Sequence, residues 1–260
     1  MRAEDERKGA IMAKTKKIIS AGNLRIEICY DRIRRRDDER TRAAKRKAQN
    51  EAQARMNMKY SWQKLEQMLA ANFVPGDCVL CLDYEDRWLP FTRREAEYRL
   101  KLFRAAMSAI RKTAGEEFRM VWCTESRHEN GRYHHHVVIN STGCDLEALR
   151  QAWPYGGVFM EPLRADGEKN YETLAKYMCK EYPERVGKRT WSYTRSCRHA
   201  EVETFVVTDD TKLIVPEGAV VLAAEKCSNQ YGSWEYVKMI SEVLPRAPRA
   251  KRKHRRKLRT

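Results

Sequence analysis

The chain has 260 residues, 34% of them charged, and a net charge of +16; that length holds one sizeable core plus extensions. So large a positive balance points to a polyanion partner, nucleic acid before membrane. No apolar run reaches the length of a membrane span and the charged N-terminus carries no apolar signal core, so no membrane association is expected and the cytoplasm is the expected location.

Residues 1–60 read as a basic, largely helical arm. From Arg32 to Arg55 the chain is densely charged, lacks Pro and Gly and is rich in Ala, Arg and Gln. That predicts an extended helix, lying along a duplex or simply in solvent. Trp62, Leu65 and Leu69 then fall on one stripe. Asn72 to Asp77 make a turn, and Cys78 to Tyr84 a first core strand. Thr92-Arg93-Arg94-Glu95 has the capping-box form. The stripe Ala96, Leu100, Phe103, Met107 and Ile110 predicts a helix packed on a sheet.

Two strands follow, Phe118 to Glu125 and Arg132 to Asn140. The short connection between them, with Asn130-Gly131, predicts a hairpin that sets Glu125 beside the second strand. Strand side chains alternate, so His134 and His136 face one way and His135 the other. Two imidazoles and a carboxylate can hold one divalent ion, Mg²⁺ or Mn²⁺; the alternative is an ordinary surface run of histidines. Asp145 can cap a short helix to Ala152, Trp153 to Gly157 breaks it, and Val158 to Pro162 makes a further strand. Asn170 to Glu181 reads as a helix on which Tyr177 and Lys180 share a face. The element order predicts an α+β fold, an antiparallel sheet with helices on one face.

Beyond Tyr182 the signals weaken. Lys188 to Arg198 interleaves basic residues with Trp191 and Tyr193, the composition of a single-strand contact surface or of an ordinary loop. Val202 to Val207 and Ala219 to Ala223 read as strands and Trp234 to Val243 as a helix, giving residues 201–244 the form of a small β/α extension. Residues 245–260 are basic without an acid and read as a disordered tail. Of the eight cysteines, only Cys78 and Cys81 form a Cys-x-x-Cys. No second pair completes a zinc site, and reduced thiols are expected.

Glu125, the strand His134-His135-His136 and the helical Tyr177-x-x-Lys180 together resemble the HUH endonucleases. More narrowly, they resemble the rolling-circle replication initiators (Rep proteins) with one catalytic tyrosine. The resemblance makes residues 61–200 the catalytic domain. It implies an RRM-like antiparallel sheet with helices on one face and, on the other, the HUH metal site with the tyrosine helix laid against it. It further implies Glu125, His134 and His136 as ligands of Mg²⁺ or Mn²⁺, Tyr177 as nucleophile and Lys180 as its partner. The reaction implied is a nick in single-stranded origin DNA of a plasmid, phage or other mobile element, leaving a 5′-phosphotyrosine and a free 3′-hydroxyl. Position 135 departs from the family's bulky apolar residue; strand parity keeps His134 and His136 as the pair, and leucine is expected to replace His135 without loss. Tyr171 and Tyr182 are expected to serve packing.

Arg127, Arg132, Lys176, Lys188, Arg189, Trp191 and Arg195 are candidate nucleic-acid contacts. The expected partners are single-stranded and origin DNA, with a host helicase and polymerase, since the chain has no Gly-x-x-x-x-Gly-Lys-Ser/Thr loop. A mobilisation relaxase or a single-tyrosine transposase would use the same chemistry. From a different class, a non-catalytic nucleic-acid-binding protein is the alternative.

Overall fold

The computed structural model describes residues 14–31, 51–126, 132–140, 146–166, 170–180, 190–208, 210–229 and 232–241. They build an α+β fold of two antiparallel five-stranded sheets and four helices. The strands are β1 (Lys14–Ala21), β2 (Leu24–Asp31), β3 (Cys78–Leu82), β4 (Met120–Ser126), β5 (Tyr133–Ile139), β6 (Val158–Pro162), β7 (Trp191–Tyr193), β8 (Glu201–Val207), β9 (Val220–Asn229) and β10 (Gly232–Ile240). The helices are α1 (Glu51–Asn72), α2 (Arg93–Thr113), α3 (Leu146–Ala152) and α4 (Glu172–Met178).

The sheet that carries the histidines runs β6-β3-β5-β4-β7. Alternation gives it two different faces. Leu80, Leu82, Met120, Val137 and Ile139 point to α2, whose Ala96, Leu100, Phe103 and Met107 lie on one stripe, and Trp153 at the end of α3 closes this core. The expected cap of α2 forms: Thr92 Oγ1 accepts the Glu95 N–H at 3.2 Å, and the Glu95 carboxylate accepts the Phe91 N–H at 2.9 Å. The buried stripe ends on Arg111, not on Ile110, because the guanidinium is held by Glu116 at 2.6 Å and by the Asn140 carbonyl.

On the second face, Val79, Val121, Cys123 and Val138 meet Leu65, Met68 and Leu69 of α1, Phe73 just after it, and Ala175 and Met178 of α4. These two helices cover one end of that face. The end with Glu125, His134 and His136 is left beside α4.

A second sheet, β8-β1-β2-β10-β9, packs Ile19, Ala21, Leu24 and Ile26 into the same core as α1 and α4. It departs from the sequence-based expectation. Residues 14–31, read as part of a helical arm, are a hairpin. The signal was present in Gly22-Asn23 between two apolar runs, a two-residue hairpin loop. Gly22 has φ +58, and a Cβ there would sit 2.0 Å from the Ala70 carbonyl oxygen, so the turn presses against α1 as only glycine can. Residues 234–240, read as the start of a helix, are strand β10, because both of their edges are taken, by β2 and by β9. The divisions drawn at residues 60 and 201 therefore cut through one sheet. Most of the charged segment Arg32–Arg55 and the basic tail lie outside the described residues, as do Asp145 and Tyr182.

Cys78 and Cys81 point to opposite faces of β3, which removes them as a joint zinc pair. No disulfide forms among the described residues. No described helix is long and apolar enough to cross a membrane.

Candidate active site

The β4–β5 register sets Glu125 opposite His134, Thr124 opposite His135 and Cys123 opposite His136. Because directly paired residues share a face, Glu125, His134 and His136 converge. Their ligand atoms all lie within 4.8 Å of one another, and all three residues are buried. Glu125 Oε2 is 3.1 Å from His134 Nε2, 3.4 Å from His136 Nε2 and 2.6 Å from Lys180 Nζ. Burial alone would raise the Glu125 carboxyl, but His134, His136 and Lys180 around Oε2 outweigh it and hold it well below the carboxylate range.

Two atoms of this group make no hydrogen bond. Glu125 Oε1 and His136 Nε2 are buried and have no hydrogen-bond partner among the described residues. Leaving such an atom unpaired costs about 1–3 kcal/mol. A cation would satisfy both, and two imidazole nitrogens with a carboxylate oxygen form a donor set that divalent metals accept. The residues fit the ion that the sequence implies.

His135 lies on the other face and is fully enclosed. Its Nδ1 pairs with Thr124 Oγ1 at 2.9 Å and its Nε2 with the Tyr84 hydroxyl at 2.8 Å. Burial pushes its pKa down to about 3, so the ring is neutral. Leucine at 135 would strand the Thr124 hydroxyl and leave the Tyr84 hydroxyl only the Ala96 carbonyl at 3.4 Å, so the expectation that it is harmless is corrected by these two bonds.

Tyr177 and Lys180 come from α4 and the turn that ends it. The Tyr177 ring lies edge-on to His136, with centroids 4.8 Å apart, and is 46% exposed, so a substrate can reach it. Lys180 Nζ sits 3.9 Å from the centre of that ring while it pairs with Glu125. Burial alone would lower the lysine's pKa; the Glu125 carboxylate raises it, and the ammonium stays charged. Tyr171 is buried, its hydroxyl 3.5 Å from the Phe73 carbonyl, and burial pushes its pKa up to about 12. It packs, as expected.

The candidate nucleic-acid contacts divide. Arg132 is tied to Asp86 at 2.7 Å and to the Tyr84 carbonyl at 3.0 Å, which fastens the segment after β3. Lys176 pairs with Glu172 at 2.5 Å and lies over Trp62. Trp191 is half-buried and donates to Ser61 Oγ. Arg195 is exposed. Arg127, Lys188 and Arg189 lie outside the described residues.

Sequence reasoning missed the fixing of α4. Lys238 of β10, buried, reaches Glu66 of α1 at 2.7 Å and Glu172 of α4 at 2.6 Å. A lysine in a strand next to Val237 and Met239 gave no sign of this, because its partners are far away in the chain.

Residues 77–182, less than half of the chain, match the family model described as Replication-associated protein ORF2. The matched stretch runs from the turn before β3 to just past α4 and holds Glu125, His134, His136, Tyr177 and Lys180. No curated protein and no solved structure matches the chain. The match makes this segment similar to replication-associated proteins.

Proposed function

We propose that the protein is a rolling-circle replication initiator of the HUH type, which nicks single-stranded origin DNA through Tyr177. The observation that carries this reading is the convergence of Glu125, His134 and His136, with two buried donor atoms left open, beside an exposed tyrosine set edge-on to His136.

Glu125, His134 and His136 would hold Mg²⁺ or Mn²⁺, which supplies Lewis-acid neutralisation of a phosphate oxygen when bound. Tyr177 then attacks the phosphorus through its phenolic oxygen. A bond forms between that oxygen and phosphorus, the bond from phosphorus to the 3′-oxygen breaks, the phenol gives up its proton and the 3′-oxygen gains one. The products are a 5′-phosphotyrosine and a free 3′-hydroxyl, which a host polymerase can extend once a host helicase opens the duplex. One phosphodiester is exchanged for another, so the reverse step can rejoin the strand; a water nucleophile would lose that option. Lys180, charged and beside the ring, stabilises the negative charge on the attacking phenolate and the phosphate.

Incubation with labelled single-stranded origin-region DNA and Mn²⁺, followed by denaturing electrophoresis, tests this. Wild type should give a protein-linked band. Tyr177→Phe should give none while still binding the strand, Lys180→Ala should be slower by about a hundredfold, and Tyr171→Phe should stay active. A band from Tyr177→Phe, with the phosphate mapped to another residue, would overturn the assignment.

A further inference from the structure

On the far side of the histidine sheet, helix α2 carries Lys101, Arg104, Ser108 and Lys112 along one flank, next to its buried stripe of Leu100, Phe103, Met107 and Arg111. With Arg195, from the turn after β7, these residues line a groove of about 700 Å³. None of the four cations has an acidic partner among the described residues. The one acid lining the groove, Glu116, is neutralised by Arg111 at 2.6 Å. The basic flank from Lys101 to Lys112 spans eleven residue steps of helix, roughly 16 Å at about 1.5 Å per step. At about 3.4 Å per phosphate along one strand, that covers four to five phosphates.

What the groove lacks identifies the form of its ligand. A single strand needs flat aromatic surfaces for its unstacked bases. Here Phe118 is buried, and Trp122, in the neighbouring cleft, is capped by the Arg104 guanidinium at 5.2 Å. Among the described residues the groove offers charge and hydroxyl donors and no stacking platform, which suits a duplex, whose bases are already stacked inside. It also opens on the sheet face opposite Glu125, His134 and His136, so the DNA it holds is not the segment being cut.

We infer that the groove between α2 and the turn after β7 binds the phosphate backbone of duplex DNA flanking the nicked strand, without reading its sequence. This rests on the proposed function for the identity of the polyanion as DNA.

The test is the salt dependence of binding to an uncut mixed-sequence duplex in EDTA, measured by fluorescence anisotropy. The combined variant Lys101→Gln, Arg104→Gln, Lys112→Gln, Arg195→Gln should lower the slope of log K against log salt by about 3 to 4, at about 0.9 for each phosphate no longer neutralised. A charge-matched control, Lys59→Gln, Lys64→Gln, Arg164→Gln, Lys212→Gln, removes exposed cations elsewhere and should leave the slope nearly unchanged. On a single-stranded oligonucleotide of equal length the groove variant should bind like wild type, and it should still form the Mn²⁺-dependent adduct. Equal losses in the two combined variants would mean that only overall charge matters, and an equal loss on single and double strands would remove the duplex as ligand; either result overturns the inference. If wild type forms no adduct yet the groove variant alone loses its duplex slope, the nicking reading falls and the groove stands.

Discussion

Helix α4 lies between two buried charged clusters that differ in one respect. On its sheet-facing side, Glu125 is surrounded by His134, His136 and Lys180, and yet Glu125 Oε1 and His136 Nε2 make no hydrogen bond among the described residues. On its other side, Lys238 is held between Glu66 and Glu172, and Lys176 completes the balance, so two cations face two carboxylates. Both clusters bear the cost of removing charge from water. The Lys238 cluster offsets it with its own side chains and joins three elements, β10, α1 and α4. The Glu125 cluster leaves part of that cost standing, which is the mark of a site arranged for something outside the chain.

Glu125→Ala should abolish Mn²⁺ binding, with affinity falling by about a hundredfold or more, read by titration calorimetry. At a Mn²⁺ concentration about a hundred times its Kd, wild type should gain about 2.7 kcal/mol of unfolding free energy and the variant nothing. Preserved Mn²⁺ stabilisation in Glu125→Ala would place the ion elsewhere.

Lys238→Met should do the reverse. Removing the central cation leaves Glu66 and Glu172 buried without it, at a cost of about 3–5 kcal/mol in urea unfolding. Metal affinity, measured below the transition, should stay near wild type. A variant that loses Mn²⁺ and keeps its stability would show that the clamp serves the metal site and not the packing of the second sheet.

His135→Leu sharpens the contrast within the histidine triplet. It should cost about 1–3 kcal/mol by stranding the Thr124 hydroxyl and taking one of two partners from the Tyr84 hydroxyl, with Mn²⁺ affinity retained. A neutral effect on stability would mean that these two hydroxyls find other partners.

The smallest effect concerns pH. Glu27 in β2 is enclosed, and burial would raise its carboxyl, but Lys16 at 2.8 Å and Arg25 at 2.6 Å bring it below its ordinary value of 4.5. A lowered carboxylate contributes stability that is present above its ordinary value and is lost as the pH falls through its folded value. Thermal melts of Glu27→Gln should therefore lie below wild type at neutral pH and converge on it in acid. A gap that stays constant down to strong acid would remove Glu27 from the acid limb.

The local half of the design is legible in the chain itself. Alternation along β5 separates His135 from His134 and His136, the short connection sets Glu125 beside them, and three-residue spacing puts Tyr177 and Lys180 on one face. The cap at Thr92 and the stripe of α2 are equally readable, because each depends on neighbours within a few residues. The sequence by itself determined the donor set and the central strands for that reason. What the packed molecule adds is that β1 and β2 join β8, β9 and β10 in one sheet, that Lys238 fixes the tyrosine helix from a distance, and that Arg195 joins the flank of α2. Those contacts join residues far apart in the chain, and their energy comes from burial and charge pairing that exist only once the sheets have packed.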